Sequence, residues 1–393
     1  MSVDFPLYDA DEHYYETVDA YTRHLPAESR GAIRWAQIDG KRRLLVADRL
    51  WTMNADPAFA RVGAPGVLGD FFRGINPEGK SVAETVGNQI QVTDDVPPYR
   101  DRENRLRTLD EQGVAATLMF PTSGVGMEQA LRDRPRDLYN VVGAFNRWLE
   151  EDWGYGYQDR IFGAPLMSLI DPDLAVAELE RVRDAGAKWV AMVPGPVRTG
   201  PLSWSPGDVR FDRFWATAAE AGIVVAYHGG DSGYQWIGEK WGERPFSGVE
   251  AGPFADVLEM HIERPTYETL AALVSHGVFD RHPTLRVATI EVGSRWAIEL
   301  LFHMKKAYGK YPTKFRRDPI ESFTEHVWIA PFYEDDIVEL RDTIGADHIL
   351  FGSDWPHPEG LRMPVDYLHD IAVLSPEEQR QIMSDNLRGL LGL

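Results

Sequence analysis

Residues 171–195, DPDLAVAELERVRDAGAKWVAMVPG, read as a helix that runs into a strand. Asp171 is placed to cap the first free N–H groups and Gly186 to stop the helix. KWVAMVPG then forms a short β-rich apolar run closed by Pro and Gly. The unit recurs outward in both directions: RENRLRTLDEQG precedes VAATLMFP at 114–121, and FDRFWATAAEAG precedes the run at 222–229, GIVVAYHG. The remaining runs are FPLYDADEH at 5–13, RIFGAPLMS at 160–168, LRVATIEVG at 285–293, HVWIAPF at 326–332 and DHILFGSD at 347–354. Eight strands with helical crossovers predict an α/β chain folded as a (β/α)8 TIM barrel. The competing fold is an open doubly wound sheet with an appended subdomain, and the absence of a nucleotide-binding glycine fingerprint after any early strand weighs against it.

Two insertions distort the simple barrel. The first, 14–97, contains AIRWAQIDGKRRLLVAD, two alternating segments about an Asp-Gly turn that predict a hairpin. The second, 230–263, follows the fifth strand and is rich in Gly, Trp and Pro. Both follow strands and so belong on the face where such barrels build their sites. With no repeat and no linker, 1–393 reads as one domain carrying a cap.

Composition narrows the chemistry. The 393 residues carry 61 acidic and 41 basic side chains, a net charge of -20, which disfavours nucleic acid and anionic membranes and leaves a small molecule as the expected partner. With no cysteine, disulfides and thiolate metal sites are excluded. No basic-then-apolar leader opens the sequence and no run is long enough to span a bilayer, so the cytoplasm is the expected location.

The segment YDADEHYYE at 8–16 sets Asp9, Asp11 and His13 at alternate positions, which share one face of a regular strand. VVAYHGG ends the fifth strand on His228, and ILFGSDWPHPEG ends the eighth on Asp354. Strands one, five and eight can bring Asp11, His13, His228 and Asp354 to one point at the barrel mouth. That N/O set suits one divalent cation, zinc first and manganese or iron next. Alone, His228 reads more readily as a hydrogen-bonded core histidine than as a ligand, and Asp354 can be read as a turn cap. Asp9 is expected to lie deeper and support the others, and Glu16 to anchor the first loop.

The segments DADEHYYE, VVAYHGG, HPTLRVATIEVGSRW and ILFGSDWPHPEG resemble the signature segments of the amidohydrolase superfamily. The similarity is greatest to the amidohydrolase-related group that includes aminocarboxymuconate-semialdehyde decarboxylase, with 14–97 the least matched part. The resemblance implies that Asp11, His13 and His228 are metal ligands and that Asp354 binds metal and handles protons. AMVPGPVRTG offers only Arg198 where a bridging lysine would follow the fourth strand, so a single metal is implied. Family members commonly form homodimers, and the apolar C-terminal region, 366–393, is expected to pack on the barrel or contribute to that contact.

Decarboxylases of this branch usually carry a histidine where RVATIEVG places Glu291. An ion pair with Arg295 is the structural reading of Glu291. As a free carboxylate beside a metal-bound water it would accept a proton, which favours hydrolysis or hydration, with Glu291 and Asp354 catalytic. Non-oxidative decarboxylation of an aromatic or unsaturated acid is the alternative, and a ligand-binding barrel without chemistry the third. An aromatic or cyclic carboxylate is the expected substrate. Arg295 and His357 are candidates to grip it, and Tyr234, Trp236, Trp241 and Phe246 or Trp153, Tyr155 and Tyr157 to wall it in.

Overall fold

The computed structural model describes residues 3–54, 56–199, 202–243, 252–258, 262–332 and 335–393. Seven of the expected runs form parallel strands: β1 (Leu7–Tyr14), β2 (Val114–Pro121), β3 (Ile161–Gly163), β4 (Trp189–Met192), β5 (Val224–His228), β6 (Arg286–Ile290) and β7 (Val327–Ile329). They lie in two sheets, β1-β2-β3 and β7-β6-β5-β4. Single parallel bridges join the sheets, Leu166 to Ala191 on one side. On the other, Ile329 bridges Ile349 and Glu12 bridges Trp355. The eighth run therefore enters the ring through isolated bridges and backbone bonds, among them Ala10 N to Phe351 O at 2.8 Å, and not through a continuous ladder.

Helices cover the strands as their caps dictate. The Asp101 side chain accepts from Asn104 N at the start of α1 (Arg102–Gln112), which Gly113 ends at φ 75°. Asp171 accepts from Asp173 N and Leu174 N at the start of α2 (Pro172–Asp184). The core between them is apolar and β-branched, with Val190, Val224, Val225 and Val287 fully buried. The C-terminal region joins it, burying Ile371, Ile382, Met383 and Leu387, so its apolar residues serve the barrel.

The first insertion holds the expected hairpin, Ile33–Ile38 against Lys41–Val46. Asp39 and Gly40 turn it at φ 51° and 72°, the doubly positive geometry that suits a two-residue hairpin loop. Of the second insertion, Phe246 lies outside the described residues. No helix among the described residues is long and apolar enough to cross a membrane.

Candidate metal centre

The expectation that Asp9, Asp11 and His13 share one face needs correction. Pairing of β1 with β2 slips between Asp9 and Glu12, a bulge of one extra residue. Asp9 turns to the backbone: its Oδ1 accepts from Asp11 N and from Ser353 N, both at 3.0 Å, tying the first strand to the last segment. Asp11 and His13 stay together, with Asp11 Oδ1 3.2 Å from His13 Nε2. Between them Glu12 points away, to Arg105 of α1 at 2.8 Å, both side chains wholly buried. Arg105 also donates to the carbonyl of His13 at 2.6 Å, so this pair fixes the strand that carries the site.

His228 arrives from the end of β5. Its Nδ1 lies 2.8 Å from Gly229 O, which can only accept, so Nδ1 carries a hydrogen and Nε2 is the atom turned to the cluster. Nε2 faces Glu291 Oε2 at 3.2 Å and Asp11 Oδ1 at 3.6 Å. Glu291 reaches His13 Nε2 at 3.5 Å and Asp354 Oδ1 reaches it at 3.3 Å. Glu291 and Asp354 both have φ of 53°, a strained setting for acidic residues that aims each inward. Gly352 lets the eighth segment pass the site, since a Cβ there would stand 2.7 Å from Asp11 Cβ.

His357, one turn beyond Asp354, stacks on His13 with centroids 3.9 Å apart. Thr122 Oγ1 donates to Tyr14 O at 2.9 Å and lies 3.0 Å from His357 Nε2. The single hydroxyl proton is thus engaged, His357 Nε2 must donate, and Nδ1 presents a lone pair 2.7 Å from Asp354 Oδ1.

Electrostatics show what this cluster lacks. Burial alone would lower the pKa of His13, but Asp11 and Glu291 outweigh it and raise it to about 10. Burial would raise that of Asp11, yet His13 and His228 hold it well below the ordinary carboxylate range. Asp354 is pushed far up by burial and then by the charge of Glu291. His357 is pushed down by burial and by His13, and Glu359 up to about 7 by burial and Glu291. Asp11 Oδ1, His13 Nε2, His228 Nε2 and Asp354 Oδ1 are buried without a hydrogen-bond partner. Imidazole nitrogens and carboxylate oxygens that converge in the interior with no hydrogen-bond partner form an N/O donor set that fits a divalent cation. Asp11, His13, His228 and Glu291 place one ligand atom each within 4.8 Å of one another, as do His13, Asp354 and His357.

A family model for amidohydrolases matches residues 9–393. The chain belongs to the amidohydrolase family. Its fold is the TIM-barrel fold of that family. An amidohydrolase from Mycobacterium avium subsp. paratuberculosis K-10 is 39% identical, covers 100% of this chain and 99% of its own, and superposes with a TM-score of 0.93. The γ-resorcylate decarboxylase of Polaromonas sp. (strain JS666 / ATCC BAA-500) is 25% identical over 76% of this chain and 91% of that protein. A dihydroxybenzoic acid decarboxylase of Polaromonas sp. JS666, solved with manganese and 2-nitroresorcinol, shares the fold at 20% identity, with a TM-score of 0.58 over 83% of this chain and 93% of that one. The decarboxylase branch indicated by the sequence is thus among the amidohydrolase relatives.

Other expected contacts fall elsewhere. Arg295 pairs with Glu339 at the surface and not with Glu291. Tyr234 gives its hydroxyl to Glu268 at 2.5 Å, while Trp236 and Trp241 stand exposed. Trp153 is core, stacked on Tyr14, and Tyr155 donates to Asn146 O at 2.6 Å. Tyr157 bonds Glu103. Glu16 does anchor the first loop, its Oε1 accepting from Ser123 N at 2.7 Å and Gly124 N at 3.0 Å. Glu359, in the same turn as His357, went unrecognised in the sequence; PHPEG signalled a turn, and only its folding back brings that carboxyl near Glu291 and Asp354.

Proposed function

We propose that this amidohydrolase is a metal-dependent non-oxidative decarboxylase of a hydroxylated aromatic carboxylic acid. The observation that carries the reading is the position of Glu291. The case for hydrolysis needed it as a free base, but it lies against Nε2 of His228 and of His13, inside the ligand cluster. A carboxylate engaged by a cation neither accepts a proton from water readily nor repels an anionic substrate. The decarboxylase relatives support the same choice.

Asp11, His13, His228 and Glu291 would hold a divalent cation, which would supply Lewis-acid stabilisation to an anionic substrate. Asp354 carries the proton, as its raised pKa favours. It gives that proton to the ring carbon bearing the carboxylate. The carbon–carbon bond breaks, its electron pair returns to the ring, and carbon dioxide leaves. Asp354 is then ionised beside His13, the stacked pair of His13 and His357 holding it in place. Phe120, 4.5 Å from the His228 ring, gives the site an apolar wall.

Manganese is the first metal to test, because the Polaromonas enzyme was solved with it, and zinc the second. We also read the chain as one domain, its barrel closed through Trp355 and Ile349, and as a homodimer to be tested by sedimentation. The deciding assay incubates metal-loaded protein with 2,6-dihydroxybenzoate and other ortho-hydroxybenzoates in D2O. Carbon dioxide release with one deuterium at the vacated carbon supports decarboxylation. No release from any of them, together with 18O uptake from water during cleavage of aromatic esters or lactones, returns the reading to hydrolysis.

A further inference from the structure

At the C-terminal ends of β4 and β5 lies a small cleft lined by Met192, Arg198 and Tyr227 together with Arg132, Leu169 and Ser232. Tyr227 immediately precedes His228, yet its hydroxyl does not enter the ligand cluster. It is buried without a hydrogen-bond partner, and so is Ser232 Oγ. A buried hydroxyl left unpaired costs roughly 1–3 kcal/mol, so two on residues that line one cleft mark a place for a polar ligand.

The two arginines give the sign of its charge. Arg132 donates to Gln129 Oε1 at 3.1 Å, and among the described residues its ion-pair partner is Asp133, at 3.9 Å. Arg198 donates to Gly233 O at 3.4 Å and sits 5.8 Å from the Trp236 ring. Burial and then the like charge of Arg132 depress the Arg198 guanidinium's pKa. Asp231 and Glu128 also line the cleft. Asp231 keeps its charge, which acts on Arg198, while its Oδ1 accepts from Gly233 N at 2.9 Å; burial lifts the Glu128 carboxyl to about 7, so at neutral pH the two acids together fall short of the two guanidiniums. In a chain of net charge -20, two arginines turned to one cleft call for an anion.

We propose that this cleft is a second, metal-independent site for an organic carboxylate. The Arg132 and Arg198 guanidiniums take the carboxylate, the Tyr227 and Ser232 hydroxyls complete its hydrogen bonds, and Leu169 and Met192 receive the hydrocarbon body. The apolar lining favours an organic acid over inorganic phosphate. This inference rests neither on the reaction proposed above nor on the cation.

The test titrates benzoate, by calorimetry, into metal-loaded and chelator-treated protein. Benzoate binding that survives chelation is the expected result. Arg198→Met should weaken it about tenfold or more and Tyr227→Phe several-fold, with metal content and unfolding midpoint as in the wild type. Chelated wild type that binds no benzoate overturns the proposal, as does equal affinity in Arg198→Met and Arg132→Met. Inorganic phosphate that binds as tightly as benzoate overturns the ligand class. Loss of decarboxylation with benzoate binding retained refutes only the reaction.

Discussion

Replacing Arg105 with Met removes the cation in direct contact with Glu12. Both side chains have no exposure, and their contact is 2.8 Å. Arg105 Nε also donates to Pro98 O at 2.9 Å, Nη2 donates to His13 O at 2.6 Å, and the guanidinium lies 4.5 Å from the Trp355 ring. Burial pushes the Glu12 carboxyl up to about 7 and the Arg105 guanidinium down, so desolvation outweighs mutual attraction on both partners. Such a pair adds little net stability but is costly to break: leaving one buried charge unpaired costs about 3–5 kcal/mol. Arg105→Met is therefore expected to lose about 3–5 kcal/mol in urea unfolding at unchanged m, and Glu12→Leu a similar amount. The double variant should be no less stable than either single one, because the second change removes the charge the first left stranded. Additive losses, about 6–10 kcal/mol in the double variant, would refute the reasoning. Metal content gives a second reading, since loss of the bond to His13 O loosens β1.

Three further outcomes are expected. Chelation or His228→Ala should abolish turnover, and the variant should lose metal affinity by more than the roughly 10–100-fold that loss of a supporting partner costs; retained stoichiometric metal in mass spectrometry would count against His228 as a ligand. Gly352→Ala pushes a methyl to 2.7 Å from Asp11 Cβ and should cost roughly 1–3 kcal/mol and weaken metal binding, both absent if the segment simply shifts. Glu128, raised by burial to about 7, contributes stability that is complete below its unfolded value of about 4.5 and is lost as pH rises through 7. Wild type should thus be more stable at pH 5 than at pH 8 relative to Glu128→Gln, by an amount read from the two unfolding midpoints.

The period of the apolar runs made the parallel strands legible, because a strand buried on both faces shows itself as an uninterrupted run between glycines and prolines. Asp11, His13, His228 and Asp354 could be chosen because a strand end has a known direction. A bulge leaves no comparable mark, so the sequence aligned Asp9 with Asp11 and His13 where the backbone separates them. The aim of Glu291 was harder to read, since the sequence left an ion pair with Arg295 and a place in the cluster both open. Its φ is positive where it lies beside His228, and nothing in RVATIEVG announces that turn. Aromatic residues were the least legible. Trp153 and Trp236 look alike in sequence, yet one packs inside the barrel and the other faces solvent.

The tie between Asp9 and Ser353 spans 344 positions. A ribosome working from the N-terminus therefore releases β1, with Asp9, Asp11, Glu12 and His13, long before the segment that completes its hydrogen bonds exists. One edge of that strand can pair with β2 once residues 114–121 are made, but the other waits through nearly all of synthesis, a large closure in contact-order terms. The acids suit the wait, because charged residues keep an unpaired strand edge from annealing to another chain. Asp354 and His357 reach the cluster last, so the complete constellation of lone pairs forms as one of the final acts of folding.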